Sequence, residues 1–160
     1  MKDKLETIKK LFGENEIRSI WNNEKKEYFF SVVDVVGALT ESSKPEKNWN
    51  DIKNKLLEEG SLLYKNIVQF KMKSNKDGKY YLTDTLDIKD IFRLIESIQS
   101  KKAKSFKVWL AHLGKEKIDE LFDPSITIDR AINYYRNYGY DYEWIESKLK
   151  EILNNKVVNR

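Results

Sequence analysis

Three observations predict an α+β fold. Two pairs of short strand-like runs, 16–21 with 27–30 and 67–72 with 79–83, are each separated by a polar turn segment. Between and after them, apolar residues recur at three- and four-residue spacing, as in helices that bury one face. The last two such segments follow each other across Gly139 and read as an αα-hairpin. The expected architecture is small β-hairpins packed against a helical core, followed by a C-terminal αα-hairpin. It divides into a tail or short helix over 1–13, a main domain over 14–122 and a helical extension over 123–160.

Each element has a local reason. Residues 1–12 read as a short polar helix or a frayed tail, and NNEKK turns the first hairpin. Ser31 opens a helix, forming a capping-box pattern with Asp34 ahead of Val35, Val36 and Leu39. Ser43 and Pro45 mark a second helix start, because a first-turn proline gives up no helical N–H. That helix should run to about Glu59, with Gly60 as its stop and Trp49, Ile52, Leu56 and Leu57 as its apolar stripe. Lys53 falls inside that arc, and its stem is expected to lie along Trp49 with the ammonium reaching water.

Asp77-Gly78, within SNKDG, is a strong hairpin signal for the second strand pair. Residues 85–98 read as an apolar helix through Ile88, Ile91, Phe92, Ile95 and Ile98, with Arg93 on the opposite side. The next helix, about 102–114, should bury Phe106, Trp109, Leu110 and Leu113 and turn Lys104, Lys107 and Ala111 outward. Gly114 either ends it or interrupts it before a further turn through Phe122. Asp123-Pro124 then marks a helix start and the best domain boundary. The hairpin's stripes are Ile128, Ala131, Ile132, Tyr135 and Tyr138, then Trp144, Ile145, Leu149 and Ile152 behind an Asp141 cap.

Composition narrows the function. Seven Phe, nine Tyr and four Trp in 160 residues suffice for a core and argue against disorder. The absence of cysteine excludes disulfides and thiolate metal sites and points to a cytoplasmic protein. No apolar run approaches the roughly 20 residues of a membrane span, so no membrane partner is expected. The net charge of +4 is modest, but its distribution is not. Residues 65–79 carry five lysines and one aspartate, and residues 101–107 carry four lysines and no acid, so everything else sums to −4. Only five of the 30 basic residues are arginine, which favours point-charge contacts to phosphate over bidentate reading of guanine.

Catalysis has little to work with. His112 is the single histidine and reads as structural on a helix flank. No Gly-rich phosphate loop and no serine coupled to a base occur. Asp-x-Lys recurs at 51–53 and 87–89, but both fall on helical segments, so a metal-dependent nuclease stays a minor alternative. The chain is therefore read as a non-enzyme that needs no cofactor and no metal.

The candidate DNA-binding residues are Lys71, Lys73, Lys76 and Lys79 on the second hairpin, and Lys101, Lys102, Lys104 and Lys107 at the start of the 102–114 helix. Arg93 is the candidate clamp between the two groups. A basic two-stranded ribbon can ride along phosphates or enter a major groove, although lysines equally guard exposed strand edges. Cations at a helix N-terminus oppose the dipole, which suits an anion site better than a packing role. The second helix of the αα-hairpin opens Asp141, Tyr142, Glu143, acids that would face DNA phosphates badly, so the hairpin reads as a packing or interaction element. Tyr134, Tyr140 and Tyr142 fall outside its stripes and are candidate protein contacts or covers for the domain junction.

The order and spacing of several segments resemble the BRO-type N-terminal domain of phage and prophage antirepressors, closest to relatives of the DNA-damage-inducible protein D family. The segments are YFFSVVDVVGAL (28–39), KNWNDIKNKLLEEGSLLYKNIVQFKM (47–72), DGKYYLTD (77–84), FRLIESIQSKKAKSFKVWLAHLGKEKIDEL (92–121) and DPSITIDRAINYYRNYGYDYEWIESKLKEI (123–152). The resemblance implies a DNA-binding or regulator-binding domain of mobile elements. Its partners would be DNA, double-stranded in the first instance, or a phage or host repressor protein, with a homo-oligomer left open. One departure stands out: relatives usually carry prolines in the loop at 98–102, where this chain reads IQSKK, so a less rigid loop is expected.

Overall fold

In the computed structural model, which describes residues 3–13 and 15–158, the two predicted hairpins join into one antiparallel sheet. Its strands are β1 (Ser19–Asn22), β2 (Glu27–Ser31), β3 (Val68–Lys73) and β4 (Tyr80–Asp87), in the order β1-β2-β4-β3. The outer ends of the predicted tail and of the C-terminal extension, and position 14, lie outside the described residues. The chain divides into two compact units, Met1–Trp109 and Leu110–Arg160.

Turn chemistry sets both hairpins. Asn22 Oδ1 accepts from the Glu24 and Lys25 amides, and Lys26 takes a left-handed φ of 53°. In the second hairpin Asp77 accepts from the Lys79 amide at 2.9 Å and Gly78 supplies a φ of 72°. Phe29 and Phe30 point to opposite faces of β2, yet both are buried, so the centre of the sheet is covered on both sides. α2 (Val32–Thr40) and α5 (Ile88–Ile95) both pack against β2 and β4. Val32, Val35, Val36 and Leu39 of α2 and Ile91, Leu94 and Ile95 of α5 complete that core.

The short helix α1 (Lys4–Lys10) buries Ile8, and Phe12 just beyond it stacks on Phe106 at 5.5 Å. α3 (Pro45–Glu58) starts at its proline, and Gly60 follows its end with a φ of 65°. Trp49 and Leu56 are buried as expected, whereas Leu57 is half exposed. A one-turn helix α4 (Leu62–Lys65), capped by Ser61, leads into β3.

Two boundaries differ from the sequence reading. The helix expected from residue 85 begins at 88, because Thr85, Leu86 and Asp87 pair with Ser31, Phe30 and Phe29 of β2. Asp87 then caps α5, accepting from the Asp90 amide at 2.9 Å. The helix expected over 102–114 is α6 (Lys101–Phe122), continuous through Gly114. Its stripe is only partly core: Ala103 and Phe106 are buried, while Trp109 and Leu113 are more than a third exposed. α7 (Ser125–Asn137) and α8 (Tyr142–Val158) form the predicted αα-hairpin, with Asp141 capping α8 through the Trp144 amide.

Candidate nucleic-acid interface

The β3–β4 pair outgrows the sheet. Only Thr85, Leu86 and Asp87 of β4 pair with β2, so residues 69–73 and 80–84 pair with nothing but each other. They make a two-stranded ribbon ending in the 74–79 turn. Directly opposed residues of an antiparallel pair share a face. The register sets Lys71 against Leu82 and Lys73 against Tyr80, and all four are exposed. Leu82 and Tyr80 are 63% and 65% exposed, so one face offers two ammonium groups beside two apolar side chains.

Lys79 adds a third charge, and Lys76 at the tip makes a long, exposed contact of 3.4 Å to Glu46. The opposite side of the tip is held by Tyr81, whose hydroxyl donates to Asp77; that bond keeps the Asp77 carboxyl below its ordinary range and raises the Tyr81 phenol. Tyr80 and Leu82 were missed by the sequence reading. Their signal was present in the register that the Asp77-Gly78 turn imposes on YYLTD.

A charge network anchors the ribbon. The Arg18 amide and Nε–H both donate to Asp34 Oδ2, at 2.9 and 2.8 Å, and its NH2 donates to Oδ1 at 3.0 Å. Its NH1 donates to the Lys73 carbonyl at 3.1 Å, which ties the end of β3 to the first turn of α2. The expected capping box is therefore half formed. Ser31 Oγ accepts from the Asp34 amide, but the Asp34 carboxylate turns to Arg18 rather than back to the cap. The hydrogen bond and charge of Asp34 outweigh burial and raise the Arg18 pKa further.

On the other flank, Asp84 collects three donors. Lys53 Nζ lies 2.7 Å and Trp49 Nε1 2.9 Å from Oδ2, and Gln69 Nε2 lies 3.0 Å from Oδ1. Lys53 thus does not carry its ammonium out to water as expected; it turns toward the sheet and binds Asp84. Burial alone would raise the Asp84 carboxyl, but the three hydrogen bonds and the Lys53 charge reverse the sign and hold it below the usual aspartate range.

The second basic group sits at the start of α6. Ser100 caps this helix, accepting from the Ala103 amide at 3.0 Å while its hydroxyl donates to the Leu39 carbonyl at 2.7 Å. Lys107 Nζ donates to the Ile98 carbonyl at 3.1 Å, and Lys102 pairs with Glu41 at 2.8 Å, lowering the Glu41 pKa. Ser100 and Lys107 thus join this proline-free loop to α2 and α6. Lys101 and Lys104 are exposed and, among the described residues, make no ion pair. Lys101 and Lys102 line a groove of about 880 Å³ whose apolar wall includes Phe12, Leu39, Phe106 and Trp109.

The ribbon is tied to the first turn of α2, and the start of α6 to its last. Arg93, the expected clamp, is half exposed and gives NH1 to the buried Asp90 at 3.1 Å. Asp90 also accepts from Asn66 at 3.1 Å. Of the Asp-x-Lys carboxylates, Asp51 is exposed on α3 and Asp87 is the α5 cap. His112, expected to be structural, is exposed on α6.

In the second unit Tyr134 and Tyr140 belong to a ring cluster, and Tyr142 lies under Arg136. Tyr140 stacks on Trp144 at 4.0 Å, Tyr134 lies 4.8 Å from Tyr138, and Arg136 covers Tyr142 at 4.9 Å. A hydrogen bond with Tyr138 raises the Tyr134 phenol.

The sequence model described as "BRO family, N-terminal domain" matches residues 16–119. The chain belongs to the BRO family. The match spans the whole sheet, α2 to α5 and most of α6, so both lysine groups lie within the BRO domain. BRO N-terminal domains are associated with phage antirepressors and DNA-binding regulatory proteins, and the family is not a known enzyme family. No curated protein and no solved structure matches this BRO chain. Among its described residues no helix is long and apolar enough to cross a membrane.

Proposed function

We propose that this BRO-family chain is a prophage-type regulatory module that binds duplex DNA chiefly through the phosphate backbone. The observation that carries this reading is the ribbon, which extends beyond the sheet and sets Lys71 and Lys73 beside Tyr80 and Leu82 on one exposed face. The ammonium groups suit phosphates, and the ring and the leucine suit sugar or thymine-methyl contact. Lys76 and Lys79 extend the charge around the tip, and Lys101 and Lys104 supply a second contact from the start of α6. Lys102, Lys107 and Arg93, each already bonded within the fold, contribute through their field more than through new bonds.

Six available lysines predict a steep salt response. Between 50 and 200 mM salt the affinity for duplex DNA should fall on the order of a thousandfold, because each neutralised phosphate releases a counterion. A fluorescence-anisotropy titration across that range measures the slope. Affinity that stays constant with salt overturns the backbone mechanism.

A second reading is an antirepressor that captures a repressor or a DNA-metabolism protein without DNA. The exposed rings of Tyr134, Tyr140 and Tyr142 favour it, since tyrosine is a common interface anchor. Capture of the same protein from nuclease-treated and untreated lysate would support this reading, and loss of the captured protein on nuclease treatment would support DNA binding instead.

A further inference from the structure

One side chain joins the two outer edges of the sheet. Arg18 stands directly ahead of β1, and its carbonyl continues the β1 ladder by accepting from the Ser31 amide at 2.9 Å. β3 lies at the other edge, in the order β1-β2-β4-β3. Ser31 pairs with Thr85 and Thr85 with Val68, so the register sets Arg18 in line with Val68, not with Lys73. In a flat sheet Lys73 would lie three strand spacings across and several residues along, on the order of 20 Å away. Arg18 NH1 nevertheless donates to the Lys73 carbonyl at 3.1 Å. The ribbon therefore bends back over the first turn of α2, and this bond fixes the angle.

The bond is a directed one. The Ser74 amide donates to the Lys79 carbonyl at 2.8 Å, so the alternation of an antiparallel pair turns the Lys73 carbonyl away from β4, where Arg18 meets it. The guanidinium is itself held, by Nε and NH2 on the two oxygens of Asp34 and by NH2 on Ser31 Oγ at 3.3 Å. The Arg18 and Asp34 side chains are only 22% and 17% exposed. Among the described residues, one other hydrogen bond or ion pair joins residues 70–83 to the rest of the chain. It is the exposed 3.4 Å contact of Lys76 with Glu46, a weak one. The back of the ribbon packs through Met72, which is buried, and through Phe70, whose ring lies 6.1 Å from that of Phe29. Apolar packing has no preferred direction, whereas a hydrogen bond does.

We infer that Arg18 is a positioning residue, holding the ribbon at the angle from which Lys71, Lys73, Tyr80 and Leu82 meet duplex DNA. This rests on the DNA-binding reading and adds what sets the geometry of that site. A lysine would not serve, because one nitrogen in place of three cannot hold both Asp34 oxygens and the Lys73 carbonyl together.

Arg18→Lys tests this without altering net charge. The chain has no cysteine, so spin labels at Asn75→Cys in the ribbon turn and Glu58→Cys on α3, both exposed, stand alone. With Arg18 in place the distance distribution between them should be narrow, and Arg18→Lys should broaden it. In unlabelled chains Arg18→Lys should weaken duplex binding on the order of tenfold, because the ribbon is no longer preorganised. The salt slope should stay the same, because the ribbon's lysines are unchanged. A purely structural arginine would lower the melting temperature and leave the affinity of the folded chain alone. The double variant Arg18→Gln/Asp34→Asn, also neutral in net charge and stranding no carboxylate, should act in the same way and serves if Arg18→Lys does not fold. A distribution as narrow as that of the parent overturns the inference and leaves the DNA-binding reading standing, as does a broadened one with unchanged affinity. A parent chain without salt-dependent duplex binding removes the reading itself, and this inference with it.

Discussion

Replacing Lys71, Lys73, Lys76 and Lys79 together by alanine is expected to weaken duplex DNA binding on the order of 100-fold or more near physiological salt, without unfolding the chain. All four side chains are exposed, and among the described residues Lys76 alone of the four has an ion pair, a long one to Glu46. Exposed pairs of that kind contribute about 0 to 1 kcal/mol, so the folded state loses little. The binding loss follows from counterion release, about 0.9 of an ion for each phosphate contact removed. The same experiment gives a sharper number: the slope of log affinity against log salt should become shallower by about 3.6. A quadruple variant with unchanged slope would show that the ribbon does not touch phosphate. Because Tyr80 and Leu82 remain, residual binding should also lose its salt dependence faster than its sequence preference.

The largest stability effect is expected at Asp84→Ala, a loss of about 2 kcal/mol, because a part-buried carboxylate leaves its hydrogen-bond donors without an acceptor. The substitution strands three donors at once, the Lys53 ammonium, the Trp49 indole and the Gln69 amide. In a chain of this size the midpoint of thermal unfolding should drop on the order of 4–8 °C. The pH response has a definite sign. The folded Asp84 carboxyl titrates below its unfolded value, so its contribution is complete above the ordinary aspartate range and disappears as the pH falls through about 4 and below. Unfolding by urea at pH 7 and at pH 3 measures this, and Asp84→Asn should flatten the difference. An Asp84→Ala chain as stable as wild type would remove the network from the account of this fold.

What the sequence made legible was local. Asn22, Ser31, Asp77-Gly78 and Asp141 announce their turns and caps within four residues of chain, and each performs that role. Pairings across long separations were not legible. Thr85 to Asp87 read as helix, since nothing local reveals that β2 waits 56 residues upstream. Arg18 passed unnoticed because its value lies in Asp34 and the Lys73 carbonyl, 16 and 55 residues away. Lys53 was sent to solvent for the same reason, its partner being 31 residues on. Trp109 and Leu113 show a further limit: helical periodicity identifies an apolar side but not whether this chain provides anything to cover it. For the candidate site, the lysines were visible as a charge concentration, while Tyr80 and Leu82 required the strand register.

The ties at the two ends of α2 turn that helix into a caliper. One jaw is the ribbon, fixed to its first turn through Arg18, and the other is the start of α6, fixed to its end through Ser100 and Lys102. Nine residues at 1.5 Å each make α2 about 13 Å long, so the helix is the rod that keeps the two attachments apart. In a chain with α2 shortened by one turn, the ribbon and the start of α6 would be attached about 5 Å closer along the helix.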